Sequence, residues 1–316
     1  MPNNQTKALM QGLATVALFT LLMTVSFVVV YIPILFFIVL LFAPIPIAWY
    51  SSQHKRSAAI VVALSSCLLT FFITGSTLLS ISAIFALIGL VIGDAIREKK
   101  SKLYMFMSTG LALLFSIMAV FVGYIKLANV NIIENSLALF QKSAEETYEM
   151  TKSVTGNSAM TMEQIDLMIK TTELTIPAII TIIAFSIAFI IITVNLPILQ
   201  RLGIEIPKFP PFKDMRLPNA ILWYYMIVLS IGLFIQPEAG STLDVITLNV
   251  SSILWVLLIL QGFSLIHYFM TEKGVPKVVR WVATLVLLPL SSFVILLGII
   301  DLGFNVRSLV KGKNRD

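Results

Sequence analysis

The chain has 316 residues, of which 58% are hydrophobic and only 12% charged, with a mean hydropathy of +0.95. Soluble domains carry about 25% charged residues, whereas apolar runs of about 20 residues, the length a helix needs to cross a hydrocarbon core, recur here from end to end. The composition excludes a soluble domain and predicts an all-α, polytopic transmembrane helical bundle; the net charge of +6 reports which loops stay in the cytoplasm, not affinity for nucleic acid.

The apolar segments fall at roughly 8–30, 32–50, 57–76, 78–96, 104–126, 175–196, 219–236, 246–270 and 278–300, which makes about eight or nine membrane segments. Lys7 precedes the first run, as a basic residue precedes a signal peptide. The run continues almost unbroken from Ala8 to Tyr50, far beyond a signal h-region, so it is expected to be retained as helices. Pro33 marks a turn between the first two segments, because the residue before proline is pushed out of helical geometry. Pro44 and Pro46 predict a kinked or frayed second helix. Three regions follow: N-terminal membrane helices over 1–126, an extracytoplasmic loop over 127–174, and C-terminal membrane helices over 175–316 with a proline-rich connector at 197–218.

Lysine and arginine set the orientation. With the N-terminus in the cytoplasm, the inner segments hold Lys7, Lys55, Arg56, Arg97, Lys99, Lys100, Lys102, Arg201, Lys208, Lys213, Arg216, Lys273, Lys277 and Arg280. The outer ones hold Lys126, Lys142, Lys152 and Lys170. The bias predicts a multi-pass protein of the cell membrane with a cytoplasmic N-terminus. The tail opposes it: nine crossings put Arg307, Lys311, Lys313 and Arg315 outside. A re-entrant segment, a split of the last run at Pro289, or an odd count with a basic outer tail all remain open.

The 127–174 loop carries Lys142, Lys152 and Lys170 against Glu134, Glu145, Glu146, Glu149, Glu163, Asp166 and Glu173. Asn131-Ile-Ile-Glu134 reads as a capping box, and Ile133, Leu137, Phe140, Ala144 and Tyr148 then recur at helical spacing. A second start lies at Thr161-Met-Glu-Gln164. Two amphipathic helices over the outer face are expected, either as a simple connection or as a lid over a substrate entrance. The cytoplasmic stretch Asn195–Asn219 holds five prolines, four basic residues and two phenylalanines. It is expected to be extended, close to anionic headgroups, and a candidate docking surface.

In FALIGLVIGDAIREKKSK, Gly89 and Gly93 lie one turn apart with Ala86 beside them. Burial of apolar surface does not drive helices together in lipid, so such a strip lets backbones approach closely. Ala8 and Gly12 start a similar strip on the first helix. Both strips serve internal packing or contact with another subunit. Among polar residues entering the membrane, Asn195, Asn249, Gln261, His267 and Asp301 either hydrogen-bond a neighbouring helix or line a solute cavity. The sequence contains no G-x-x-x-x-G-K-[ST], G-x-S-x-G or H-E-x-x-H, so no P-loop, nucleophile elbow or zinc-protease site is expected. Cys67 is a lone thiol in an apolar run, and two isolated histidines, His54 and His267, do not build a metal centre. No cofactor is expected, and the lack of a nucleophile, metal or carboxylate pair disfavours an enzyme.

The order and spacing of FALIGLVIGDAIREKK, NLPILQR followed by FKDMRLP, QGFSLIH and GIIDLGFNVR, with the small-residue first helix, resemble the YybS-like family of bacterial membrane proteins over nearly the whole chain. That family is distantly similar to the S components of energy-coupling-factor transporters, all-helical proteins that bind a vitamin or metal and rely on a transmembrane coupling subunit and two ATPases. The resemblance implies a solute-binding role for this chain, with Ala8 and Gly12 meeting the transmembrane partner. The chain departs from the S components in having about nine segments instead of six and no vitamin-specific pattern. Two function classes follow: a solute-binding transporter subunit with membrane lipid, an unidentified small solute, a coupling subunit and ATPases as partners, or a non-transporting scaffold that recruits proteins through its cytoplasmic loops.

Overall fold

A computed structural model describes residues 4–155, 161–206, 211–304, 306 and 307. These residues form helices without strands, and the chain divides into two compact units. Among the described residues, eight helices are long and apolar enough to cross a membrane, judged by length and composition.

The first unit comprises residues 1–135 and 180–208. It contains α1 (Asn4–Val28), α2 (Pro33–Phe42), α3 (Pro44–Gln53), α4 (Arg56–Thr74), α5 (Leu79–Arg97), α6 (Lys102–Ala128) and the second half of α8 (Met162–Arg201). Pro33 opens α2, where its missing N–H costs nothing. Pro44 and Pro46 have no N–H for the carbonyls four residues earlier, so the second apolar run breaks at Ala43 into α2 and α3. The Ala43 N–H turns to Leu40 O at 3.1 Å, and the Asn195 amide donates to Leu41 O at 2.7 Å. A polar side chain from α8 thus braces the helix at its weakest point.

The α3–α5 contact is held by absent side chains. A Cβ on Gly93 would lie 2.5 Å from Ala48 O and 2.5 Å from Ser51 Cβ, and one on Gly89 would lie 2.8 Å from Ile47 Cβ. Gly110 on α6 is likewise pressed onto the Phe185 ring of α8. Around these approaches lies a core of Ile88, Ile92, Met105, Ala184, Ile191 and Leu199. At the charged end, Asp94 pairs with Arg56 and Arg97, while Arg97 Nη1 donates to His54 O at 2.9 Å and Ser51 O at 3.3 Å. His54 closes α3, stacks on Tyr50 and lies 2.9 Å from Gln11 Oε1; burial pushes its imidazole below the ordinary range.

The second unit comprises residues 136–179 and 209–316. It holds most of α7 (Ile132–Thr155), the first half of α8, α9 (Ala220–Ser230), α10 (Thr242–Glu272), α11 (Lys277–Leu287) and α12 (Ser291–Phe304). A π-helical turn, Ile231–Ile235, extends α9, and a 3-10 turn, Leu288–Leu290, separates α11 from α12 at Pro289. The strongest contact joins α10 to α12. Cβ atoms on Gly262 and Gly298 would run into Val294 O and Leu258 O respectively, so the two backbones touch.

Several expectations change. The 219–236 segment is a 16-residue apolar helix, Ala220–Ile235, shorter than the other spans. The loop has its two helix starts, but the second does not end near residue 174: α8 runs on as one 40-residue helix through Pro177. Thr161 and Gln164 form a reciprocal box at 2.9 and 3.3 Å. At Asn131 the side-chain oxygen accepts from the Glu134 N–H at 3.3 Å, while Glu134 returns to the Asn131 side-chain amide instead of its backbone. The connector is not wholly extended, since α8 reaches Arg201 and Phe212–Asp214 forms a 3-10 turn. Lys208, Lys311, Lys313 and Arg315 lie outside the described residues.

The glycine contacts generate a test. Gly93→Leu should lower the unfolding free energy in detergent by about 1–3 kcal/mol, the usual cost of overpacking. Gly123→Leu, whose added Cβ meets nothing within 4 Å, should leave the melting temperature unchanged.

Candidate functional site: a buried polar cluster and an apolar cleft

Three of the sequence stretches that carry the family resemblance converge in the second unit. FKDMRLP supplies Phe212 to Leu217, QGFSLIH supplies Gln261, Ser264 and His267, and GIIDLGFNVR supplies Asp301 and Arg307. At the centre, Arg307 Nε and Nη2 lie 3.0 and 2.9 Å from Asp301 Oδ2. Gln261 Nε2 donates to the same oxygen at 2.6 Å. Asp301 is fully buried and Arg307 nearly so. A lone buried charge would cost several kcal/mol, so the pair is tolerated because it is neutral as a unit and its hydrogen-bonding groups are mostly occupied. Asp301 Oδ1 is the exception and has no protein partner among the described residues.

The cluster's second task is to hold backbone. Arg307 Nη1 donates to Lys213 O at 2.6 Å, and Gln261 Oε1 accepts the Leu217 N–H at 2.9 Å. Ser264 Oγ accepts from Arg307 Nη2 at 3.1 Å and lies 2.8 Å from both Phe212 O and Met215 O, so its one proton serves them in turn. Within residues 211–217 of the connector only the 3-10 turn satisfies its own carbonyls, with the Met215 N–H donating to Phe212 O at 3.1 Å, and side chains of α10 and Arg307 supply other partners. The part of the connector expected to face a partner therefore faces inward here.

Beside the ion pair, His267 lies inside α10, within its last two turns. Its Nε2 is 2.7 Å from Thr284 Oγ1, which donates onward to Arg280 O. Phe212 and Trp281 pack around the imidazole with ring centroids 5.2 and 4.9 Å away. Arg280 reaches Thr271 across the α10–α11 turn. His267 Nε2 and Thr284 Oγ1 are thus tied into helix packing, while the buried Arg280 Nε has no hydrogen-bond partner among the described residues. Among the described residues no group of three His, Cys, Asp or Glu side chains gathers as a metal site.

The remaining sequence candidates lie elsewhere. Asn249 stitches α10 to α8: its amide donates to Leu174 O at 2.7 Å and its oxygen accepts the Ala178 N–H at 2.8 Å. That N–H would ordinarily bond Leu174 O, so Asn249 takes both halves of a helix bond opened next to Pro177. Asn195 performs the bracing described above. Gly12 is buried against Val62 and Tyr50, with Ala8 half-buried one turn earlier, and Gly89 and Gly93 are covered by α3.

The sequence reading missed Ser264, Arg307, Thr284, Gly262 and Gly298. Arg307 had been counted as a tail base. Its signal was an acid, Asp301, six residues away in an otherwise apolar end.

In the first unit, a cleft of 510 Å³ opens between the start of α5 and the end of α6. Leu79, Ala83, Leu87, Ala119, Val120 and Gly123 make its walls apolar, and Ser80, Ser116 and Tyr124 bring hydroxyls. Its rim includes Leu127 and Ala128, immediately before the turn into α7.

Ser264→Ala should cost about 1–3 kcal/mol in unfolding free energy, because it strips a shared donor from buried carbonyls. It should also quicken proteolysis within 211–217, whereas Ser252→Ala, which removes a bond within one helix, should do neither.

Comparison with known proteins places the chain among membrane proteins. No solved structure matches the chain. The curated protein "Uncharacterized protein YybS" of Bacillus subtilis (strain 168) is 27% identical over 313 residues, covering 97% of this chain and 99% of its own length. Residues 17–302 match a family model described as "Predicted membrane protein (DUF2232)", a range that contains both the cleft and most of the polar cluster. The chain therefore belongs to this DUF2232 family of predicted membrane proteins and is itself similar to YybS.

Proposed function

We propose that this integral membrane protein is a solute-binding transporter subunit, with the α5–α6 cleft as the solute site. The observation that carries the reading is the cleft itself. Its 510 Å³ volume falls within the 300–1,000 Å³ range of small-molecule pockets, and apolar walls with a few hydroxyls are their usual chemistry. With the N-terminus in the cytoplasm, the start of α5 and the end of α6 would lie at the outer surface, where the chain continues into the acidic 127–174 segment. That charge favours neutral or cationic solutes. The sequence carries no P-loop, so transport energy would come from a coupling subunit and ATPases, in the manner of energy-coupling-factor S components. This part rests on resemblance alone.

A second reading, a membrane scaffold, is favoured by the polar cluster, which spends several buried side chains on fixing the connector. The two readings separate experimentally. Filling the cleft with Ala119→Leu and Gly123→Leu should abolish retention of a co-purifying small molecule, measured by mass spectrometry, while the melting temperature holds. Unchanged retention would remove the cleft as the solute site, and loss of bound proteins instead of a small molecule would favour the scaffold.

A further inference from the structure

The last apolar run, Lys277–Phe304, has the length and hydropathy of a membrane span, but its contacts are those of a run that turns back. Near its start, Arg280 reaches Thr271 and Thr284 lies 2.7 Å from His267. Past its end, Arg307 lies 3.1 Å from Ser264 and sits over the Tyr268 ring. Both ends therefore touch the same few turns of α10. A straight helix would separate Thr284 from Arg307 by about 35 Å, at 1.5 Å per residue. Side chains bridging to neighbouring turns of α10 do not span that distance. The chain must fold back, and the 3-10 turn Leu288–Leu290 at Pro289 is where helical continuity changes.

Length agrees with this. The 11 residues of α11 extend about 16 Å and the 14 of α12 about 21 Å, so neither arm alone crosses a hydrocarbon core about 30 Å thick. The arms nevertheless expose Val278, Val282, Leu285 and Phe293, which suits lipid tails and not water. Their backbone remains helical through the turn, so no run of free carbonyls enters the hydrocarbon. The entry rim carries Lys273 and Lys277, and the connector carries Lys213 and Arg216. Lys213 lies 3.8 Å from Glu272 at the end of α10, which ties connector and rim together.

We propose that α11 and α12 form a re-entrant hairpin that dips into one leaflet and returns, pinned at its base by the Asp301–Arg307 pair. Arg307 then lies on the connector's face, where it donates to Lys213 O. The hairpin resolves the charge conflict when the Ala220–Ile235 helix crosses, because with the seven other long spans it makes eight crossings, which put Arg307 with the other inner cations.

The test places single cysteines in a Cys67→Ser background at Arg216 in the connector, at Asn314 beyond the hairpin, at Gln236 between α9 and α10, and at Leu288 at the turn. A membrane-impermeant maleimide is applied to intact cells and to inside-out vesicles, so that each aqueous site reacts from one side or the other. Arg216→Cys and Asn314→Cys should react from the same face and Gln236→Cys from the opposite one. Leu288→Cys should resist the reagent on both faces. Reaction of Asn314→Cys from the face of Gln236→Cys, or of Leu288→Cys from that face, would overturn the hairpin.

Discussion

Hydrocarbon does not reward the burial of apolar side chains, and that constraint governs how each unit of this protein is held together. What remains is close approach of backbones and the pairing of polar groups that lipid will not solvate. The first unit uses glycine: Gly89 and Gly93 let α5 lie directly on α3, with Ser51 and Ala48 at the contact. The second unit repeats the device at Gly262 and Gly298, where α10 and α12 meet backbone to backbone. Both contacts tolerate no added methyl group without displacement, so the glycines are the joints of the structure and not its weak points.

Polar pairing is spent where helices are broken. Asn195 reaches the carbonyl beside the Ala43 break, and Asn249 occupies the helix bond opened beside Pro177. The Asp301–Arg307 pair extends the principle to a whole segment. A proline-rich connector at the membrane edge presents carbonyls and N–H groups that must find partners, and the pair, with Gln261 and Ser264, supplies them. The connector's position thus depends on residues more than forty positions downstream in the chain. For function, this makes the cluster a positioning device. The proposed chemistry of solute recognition belongs to the separate, apolar cleft between α5 and α6.

Much of the first unit was legible in the sequence. Pro33, Pro44 and the G-x-x-x-G strip have consequences that are local, because a missing N–H or a missing side chain acts on the adjacent turn. The helix starts at Asn131 and Thr161 were legible for the same reason. The extent of α8 was not: Glu173 and Pro177 look like a boundary, yet the helix continues because Asn249, from another helix, occupies the bond the proline opens. Asp301 and Arg307 were read separately, one as an interhelical polar residue and the other as a tail charge. Only the return of the chain to α10 brings them together, and no local pattern encodes that return. The cleft between α5 and α6 was not legible, since a cavity is defined by where helices diverge.

The central claim is that the buried Asp301–Arg307 pair acts as one unit that holds the connector against α10. A double-mutant cycle with Asp301→Asn, Arg307→Gln and the double variant, read by reversible unfolding in mixed micelles, tests it most directly. Each single change should cost about 3–5 kcal/mol, because it leaves the opposite charge buried without its partner. The double variant should cost clearly less than their sum, with a coupling of about 1–3 kcal/mol. Additive losses, or single losses below about 0.5 kcal/mol, within the range of ordinary surface substitutions, would contradict the account.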